Sequence, residues 1–283
     1  MAAQYELLKE LLNSGTKLGF GQEMFYKFYQ AFILKDRWLQ YINGVGTTLL
    51  VTAIALALGI VLGSVVALVR VAHDQQRPNH KNPVLGFFNA VCQVYTTIIR
   101  GTPMMVQAMV IYWGYAFAMQ GQTLPLIPSG IMIVSVNTGA YMAEIVRGGI
   151  ISIDKGQFEG ASSIGMKHSQ TMFKVVIPQV MRNILPSVSN EFVINIKDTS
   201  VLNVIGVTEL YHFADIIKRN SAKTFQTYFV VCIIYFILTF TVTRLLRLAE
   251  KKLMGKENYV ICGSQSDSKA EIRVKEEEEH YDD

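Results

Sequence analysis

Apolar residues in this chain come in long, uninterrupted blocks. No Asp, Glu, Lys or Arg occurs over 38–69, 101–143 or 224–243, runs of 32, 43 and 20 residues. A helix rises 1.5 Å per residue and needs about 20 mainly apolar residues to cross a bilayer. The pattern predicts spans at 47–69, closed by Arg70, at 126–146, closed by Arg147, near 184–207, and at 224–243, closed by Arg244. The stretch 83–119 is interrupted by Arg100, Gly101, Thr102 and Pro103. It predicts either two spans or one long helix broken at the proline.

The two ends of the chain differ from this centre. In residues 1–46, Tyr5, Leu7, Leu8, Leu11 and Leu12 alternate with Glu6, Lys9 and Glu10 at helical spacing, and Phe25, Tyr26, Phe28, Tyr29 and Phe32 follow. Two readings fit: an amphipathic helix at the membrane surface with an aromatic belt, or a helix pair packed on the rest of the protein. Residues 253–283 are polar and charged, with four consecutive glutamates near the end, the composition of a disordered tail.

Composition agrees with the blocks. Charged residues make up 17% of the 283 positions and hydrophobic residues 51%, against roughly 25% charged in a soluble domain. A soluble globular domain is excluded, and the fold class is an all-α integral membrane protein. The formal charge of +4 is too mild for nucleic-acid binding. Three cysteines (Cys92, Cys232, Cys262) and five scattered histidines show neither a disulfide framework nor metal-ligand spacing. No metal and no cofactor is expected. The N-terminus lacks the basic region and apolar core of a cleaved signal peptide. There is no Gly-x-x-x-x-Gly-Lys-Ser/Thr loop, so ATP-driven work would fall to a partner.

Loop charge sets the expected topology. The bases of 244–283 mark that end as cytoplasmic under the positive-inside rule. Counting five spans back from it makes 147–183 and 70–83 cytoplasmic as well, with 16 Lys and Arg inside against 8 outside. Splitting 83–119 into two spans worsens the bias, so the expectation is five spans with the N-terminus outside. Secondary transporters commonly pair repeats within one chain. Five spans without a repeat suggest a half-pathway completed by a second copy or a homologous chain.

The most informative loop is 147–183. Gln157, Phe158, Glu159, Gly160, Ala161, Ser162, Ser163 and Ile164 lead to Gly165, and Ile177 and Pro178 follow. An acid is favoured near a helix start, and glycine ends a helix. A short cytoplasmic helix with a small-residue face is expected within 154–172, either an ordinary surface loop or a docking surface for another protein.

Glu-Gly-Ala-x-x-x-Gly followed by Ile-Pro closely resembles the Glu-Ala-Ala loop of ABC import permeases, and the surrounding text resembles the polar amino acid branch. The matching stretches are Arg100-Gly101-Thr102-Pro103, the run from Ala140 through Glu144 and Arg147 to Ile150, Asn190-Glu191-Phe192, Lys197-Asp198-Thr199-Ser200, and the run from Val204 to Leu210. The likeness covers about 41–252. Gly160 stands where the family usually has Ala, and Ile177 where Leu is common. The resemblance implies a five-helix type I importer core in the bacterial inner membrane, 47–252 being the permease domain. It also implies partners: ABC ATPase subunits that take the loop helix, a second permease chain, and an extracytoplasmic solute-binding protein. Glu159, Gly160, Ala161, Gly165, Ile177 and Pro178 would then carry the ATPase contact, and the cargo would be a polar amino acid. The chain itself would perform no covalent chemistry.

Asn190, Glu191, Lys197 and Asp198 lie inside an apolar span. Seven-residue spacing predicts one shared helix face, and charge within a span is costly. The set is either internally paired through Lys197, together with caps near Thr199 and Ser200, or a polar wall of the translocation path. Asn137, Thr138 and Tyr141 are further candidates for that path. Glu144 and Arg147 are expected to pair locally three residues apart, and Arg100 to Pro103 to mark a structural break. A channel subunit explains the polar span but not the 157–178 loop. A membrane enzyme using Glu191 and Asp198 as paired carboxylates lacks any further constellation.

Overall fold

The computed structural model describes residues 1–76 and 82–254, and the backbone of 259–262 and 271–274. It is helical throughout its main body. The elements are α1 (Ala2–Asn13), α2 (Phe20–Phe32), α3 (Arg37–Asp74), α4 (Pro83–Gly101), α5 (Met104–Ala118), α6 (Leu126–Ile151), α7 (Lys155–Ser163), α8 (His168–Thr171), α9 (Ile177–Asp198), α10 (Leu210–Ser221) and α11 (Thr224–Met254). Among the described residues α3, α6 and α11 are each long and apolar enough to cross a membrane, while α5 is a shorter apolar helix. In the C-terminal segment expected to be disordered, Tyr259–Cys262 and Glu271–Val274 pair antiparallel; the rest of 255–283 lies outside the described residues.

The scaffold is organised on the contact of α3 with α6. Small residues recur every four positions on α3 (Ala55, Gly59, Gly63, Ala67) and on α6 (Ser135, Gly139, Ala143). That spacing makes one continuous small stripe on each helix and lets their backbones approach closely. A methyl group on Gly63 would lie 2.5 Å from Met142 Cβ and 2.8 Å from Gly139 O; one on Gly59 would lie 2.7 Å from Thr138 Cγ2. One apolar cluster at this contact gathers Val51, Ala55, Ile133 and Val134 with Tyr112 of α5 and Leu202. A second joins Ala67, Val71, Met142 and Val146 to Val176, Val180 and Ile184 at the other end.

The break in 83–119 falls where the sequence placed it, between α4 and α5. Its exposed carbonyls are met by a side chain from the next turn. Gln107 Nε2 donates to Ile99 O (2.7 Å), Thr102 O (2.9 Å) and Thr102 Oγ1 (2.8 Å). Its Oε1 accepts from Asn137 Nδ2 of α6 at 3.0 Å. One buried glutamine thus ties the broken pair to the central helix, and Asn137 is a structural partner.

At the N-terminus α1 packs on α2, and α2 on α11. Tyr5 of α1 is buried and stacks on Tyr26 and Tyr29 of α2, centroids 5.0 and 4.5 Å apart. Phe28 meets Phe229 of α11 edge-on at 5.7 Å. Part of the expected aromatic belt therefore faces protein. α11 continues eleven residues beyond 224–243, through Arg244, Arg247, Lys251 and Lys252.

Candidate functional site

The loop helix α7 is fixed at both ends. Asp154 Oδ1 accepts from Gly156 N at 2.6 Å as its N-cap. Ile153 before the cap and Phe158 in the first turn belong to one apolar cluster, the arrangement of a hydrophobic staple. At the other end Gly165 takes φ +77°, with Gly165 N donating to Ser162 O (3.0 Å) and Met166 N to Ala161 O (3.1 Å). These two bonds form a Schellman ending, which needs a residue tolerant of positive φ. Gln179 Nε2 donates to Gln157 Oε1 at 3.2 Å, joining α7 to the first turn of α9.

Glu159 and Gly160 are exposed, and a Cβ on Gly160 would meet no atom within 4 Å. Ala161 differs from the expectation, because it is 6% exposed and turned into the protein. It lies three residues after Phe158, on the same inward helix face. Ile177 is half-buried and Pro178 exposed at the start of α9. Two residues on this surface escaped the sequence reading: Ile164 and Phe173, 77% and 72% exposed. Ile164 borders a groove with Gly156, Gln157, Gly160, Ala161, Met166 and Val175. Ile164, a large apolar side chain between Ser163 and Gly165, carried an available signal; Phe173, among Met172, Val175 and Val176, did not.

The polar stretch of α9 also departs from expectation. Asn190 and Lys197 are exposed, whereas Glu191 is buried and Asp198 half-buried. Successive residues are about 100° apart on a helix, so the four residues form two adjacent stripes instead of one face. No ion pair joins Lys197 to Glu191 or Asp198 among the described residues. Lys197 and Val193 open on a groove against α11, with Phe236, Thr239, Phe240, Thr243, Arg244 and Arg247 on the other wall. Thr199, buried, bonds back to Ile196 O at 2.9 Å where the α-helix tightens into a 3-10 segment, Thr199–Ile205; Ser200 beside it is half-buried. Asn195, which the sequence reading passed over, is buried. Its Nδ2 donates to Thr138 Oγ1 of α6 at 2.9 Å. Thr138 is thereby used within the fold.

Charge at the junction of α3, α4 and α6 corrects a further expectation. Glu144 and Arg147 do not pair with each other. Glu144 Oε1 accepts from Arg70 of α3, and Arg100 of α4 lies 3.6 Å from the same oxygen. Arg147 Nη2 donates to Asp74 Oδ2 of α3 at 2.9 Å. The close crossing brings opposite charges from α3 within reach, and these bridges lock the two long helices together. In the run from Val204 to Leu210, Glu209 is fully buried and caps α10, accepting from Tyr211 N (2.9 Å), His212 N (2.7 Å) and Tyr235 Oη (3.0 Å).

Apolar helices crossing on small residues, with ion pairs locked between them, define a multi-pass membrane protein that also carries a short capped helix between two of its long helices. Residues 84–255 match the family described as the binding-protein-dependent transport system inner membrane component, and the chain belongs to that family. It is 35% identical over 217 residues to the L-cystine transport system permease protein TcyB of Bacillus subtilis (strain 168), covering 76% of this chain and 87% of that one. It is 31% identical over 212 residues to the glutamine transport system permease protein GlnP of Escherichia coli (strain K12), covering 75% and 92%. A crystal structure of an amino acid ABC transporter with histidines superposes with a TM-score of 0.66 at 35% identity, covering 75% and 94%. The inward-facing MetNI methionine ABC transporter, 16% identical with a TM-score of 0.58, shares the fold.

Proposed function

We propose that this chain is the permease subunit of an ATP-driven ABC importer for polar amino acids. The observation that carries the reading is similarity above 30% identity, across three quarters of the chain, to permeases named for cystine and glutamine transport. In this reading five spans cross the membrane at 47–69, 83–119, 126–146, 184–207 and 224–243. The N-terminus lies outside and the C-terminus in the cytoplasm, in keeping with 16 Lys and Arg on inner segments against 8 on outer ones. A second permease chain, identical or homologous, completes the pathway. Exposed Asn190 and Lys197 with half-buried Asp198 and Ser200 contribute the polar part of its wall, buried Glu191 and Thr199 support it from behind, and a solute-binding protein delivers the cargo from outside.

Energy enters through α7. ATPase subunits grip its exposed side at Glu159, Gly160 and Ile164, and the ends fixed by Asp154 and Gly165 make the short helix move as a unit. The Gln157–Gln179 bond and the shared apolar cluster pass that movement to α9 and α6. The test is ATP-driven uptake of labelled amino acids by the complex reconstituted with its ATPase and binding protein. Wild type accumulates an amino acid only with hydrolysable ATP. Gly160→Trp inserts normally, because its position is open, and loses ATP-driven uptake. Unchanged uptake by a properly inserted Gly160→Trp complex refutes the docking role.

A further inference from the structure

The ion cluster of α3, α4 and α6 holds one more positive charge than its hydrogen bonds use. Glu144 is taken by Arg70, whose side chain is 13% exposed. Arg100 stands 3.6 Å from the same oxygen with 44% of its side chain open. The neighbouring carboxylate, Asp74, is occupied by Arg147. Among the described residues the remaining contact of Arg100 is the ring face of Tyr141, 5.6 Å from the guanidinium to the centroid. Arg70, Arg100 and Glu144 therefore carry a formal charge of +1, about two helical turns from the end of α6 and beside the uncharged run 101–143.

A cation at such a place is costly unless an anion meets it, and intramembrane charges ordinarily face a partner or a watery cavity. The helix break does not need this side chain, since Gln107 donates to Ile99 O and Thr102 O and the Thr102 hydroxyl donates to Ile98 O. Glu144 and the Tyr141 ring flank the guanidinium, and 44% of the side chain stays open, so the guanidinium has more N–H donors than these contacts use. Its planar fork fits a carboxylate in a bidentate manner, which an ammonium does not.

We propose that Arg100 recognises the α-carboxylate of the transported solute, with Tyr141 and Glu144 as positioning residues. This rests on the amino acid permease reading, and the experiment separates the two. Binding of L-glutamine and of L-cystine, each against its α-carboxamide, is measured on the permease–ATPase complex without the binding protein. Uptake of a panel of labelled amino acids is measured on the full system. The wild-type complex binds at least one acid ~10-fold or more tighter than its amide, the scale of a charge-assisted hydrogen bond. Arg100→Gln abolishes that preference while leaving amide binding unchanged, and Arg100→Lys keeps part of it. Equal wild-type affinity for acid and amide overturns the proposal, as does Arg100→Gln that still discriminates or weakens both ligands alike. Full-system uptake of an amino acid alongside such a result leaves the permease reading standing. If the wild-type system takes up no amino acid at all, that reading fails and the carboxylate assignment falls with it.

Discussion

Gly63 tests whether the α3–α6 crossing sets the stability of the scaffold. Replacing it with Ala places a methyl 2.5 Å from Met142 Cβ and 2.8 Å from both Ala143 N and Gly139 O. Carbon atoms are in comfortable contact at about 3.5–4.0 Å, so the helices must part by ~1 Å. Two of the three obstructing atoms are backbone of α6, which no rotamer change can move aside. Parting them also loosens Gly59 against Thr138. Overpacking of this kind costs about 1–3 kcal/mol. Gly→Ala inside a helix also gains up to ~1 kcal/mol of propensity, which must be removed from the comparison. Gly114→Ala does so: it sits in α5 with no atom within 4 Å of its Cβ. The pair should differ by the crossing term alone, roughly 2–12 °C in unfolding temperature at ~2–4 °C per kcal/mol. Thermal unfolding of each purified variant in detergent, followed by Trp38 and Trp113 fluorescence, reads the difference. If Gly63→Ala and Gly114→Ala melt together, the close crossing is not limiting and the argument from the small stripe is wrong.

Other outcomes follow from the same geometry. Gln107→Leu keeps the volume but strands Ile99 O, Thr102 O and Asn137 Nδ2, and should destabilise the same melt by ~1–3 kcal/mol. Ile164→Ser should weaken retention of ATPase subunits on purification without shifting the melt, because the side chain is 77% exposed; undiminished co-purification would remove Ile164 from the docking surface. Hydrogen bonds from Lys218 and Arg219 hold Asp215 below the usual carboxylate range. A depressed acid stabilises the fold above its unfolded pKa and loses that contribution as pH falls through its folded value. Wild type should therefore lose up to ~1 kcal/mol more than Asp215→Asn on acidification below about pH 4, and identical acid limbs would contradict the pairing.

The sequence by itself determined the membrane class, the positions of the three long apolar helices α3, α6 and α11, the break at Gly101 to Pro103 and the short helix before Gly165, whereas the span expected near 184–207 is α9 ending at Asp198 and a 3-10 segment. Each feature it determined is local. Uncharged length, a proline without an N–H and a glycine at positive φ act within a few residues of chain, so spacing reveals them. Family membership was legible for a related reason, since its motifs are contiguous. What only the tertiary structure decided was pairing between helices distant in sequence. Glu144 has Arg147 on its own helix, yet Arg70 from 74 positions away takes it, because small residues bring α3 within side-chain reach. Ala161 looked equivalent to Gly160 until packing turned it inward, and Asn195 and Gln107 were ordinary polar residues until Thr138 and Asn137 met them. The surplus charge on Arg100 emerged the same way, for a charge is in excess only once its neighbours have been counted in space.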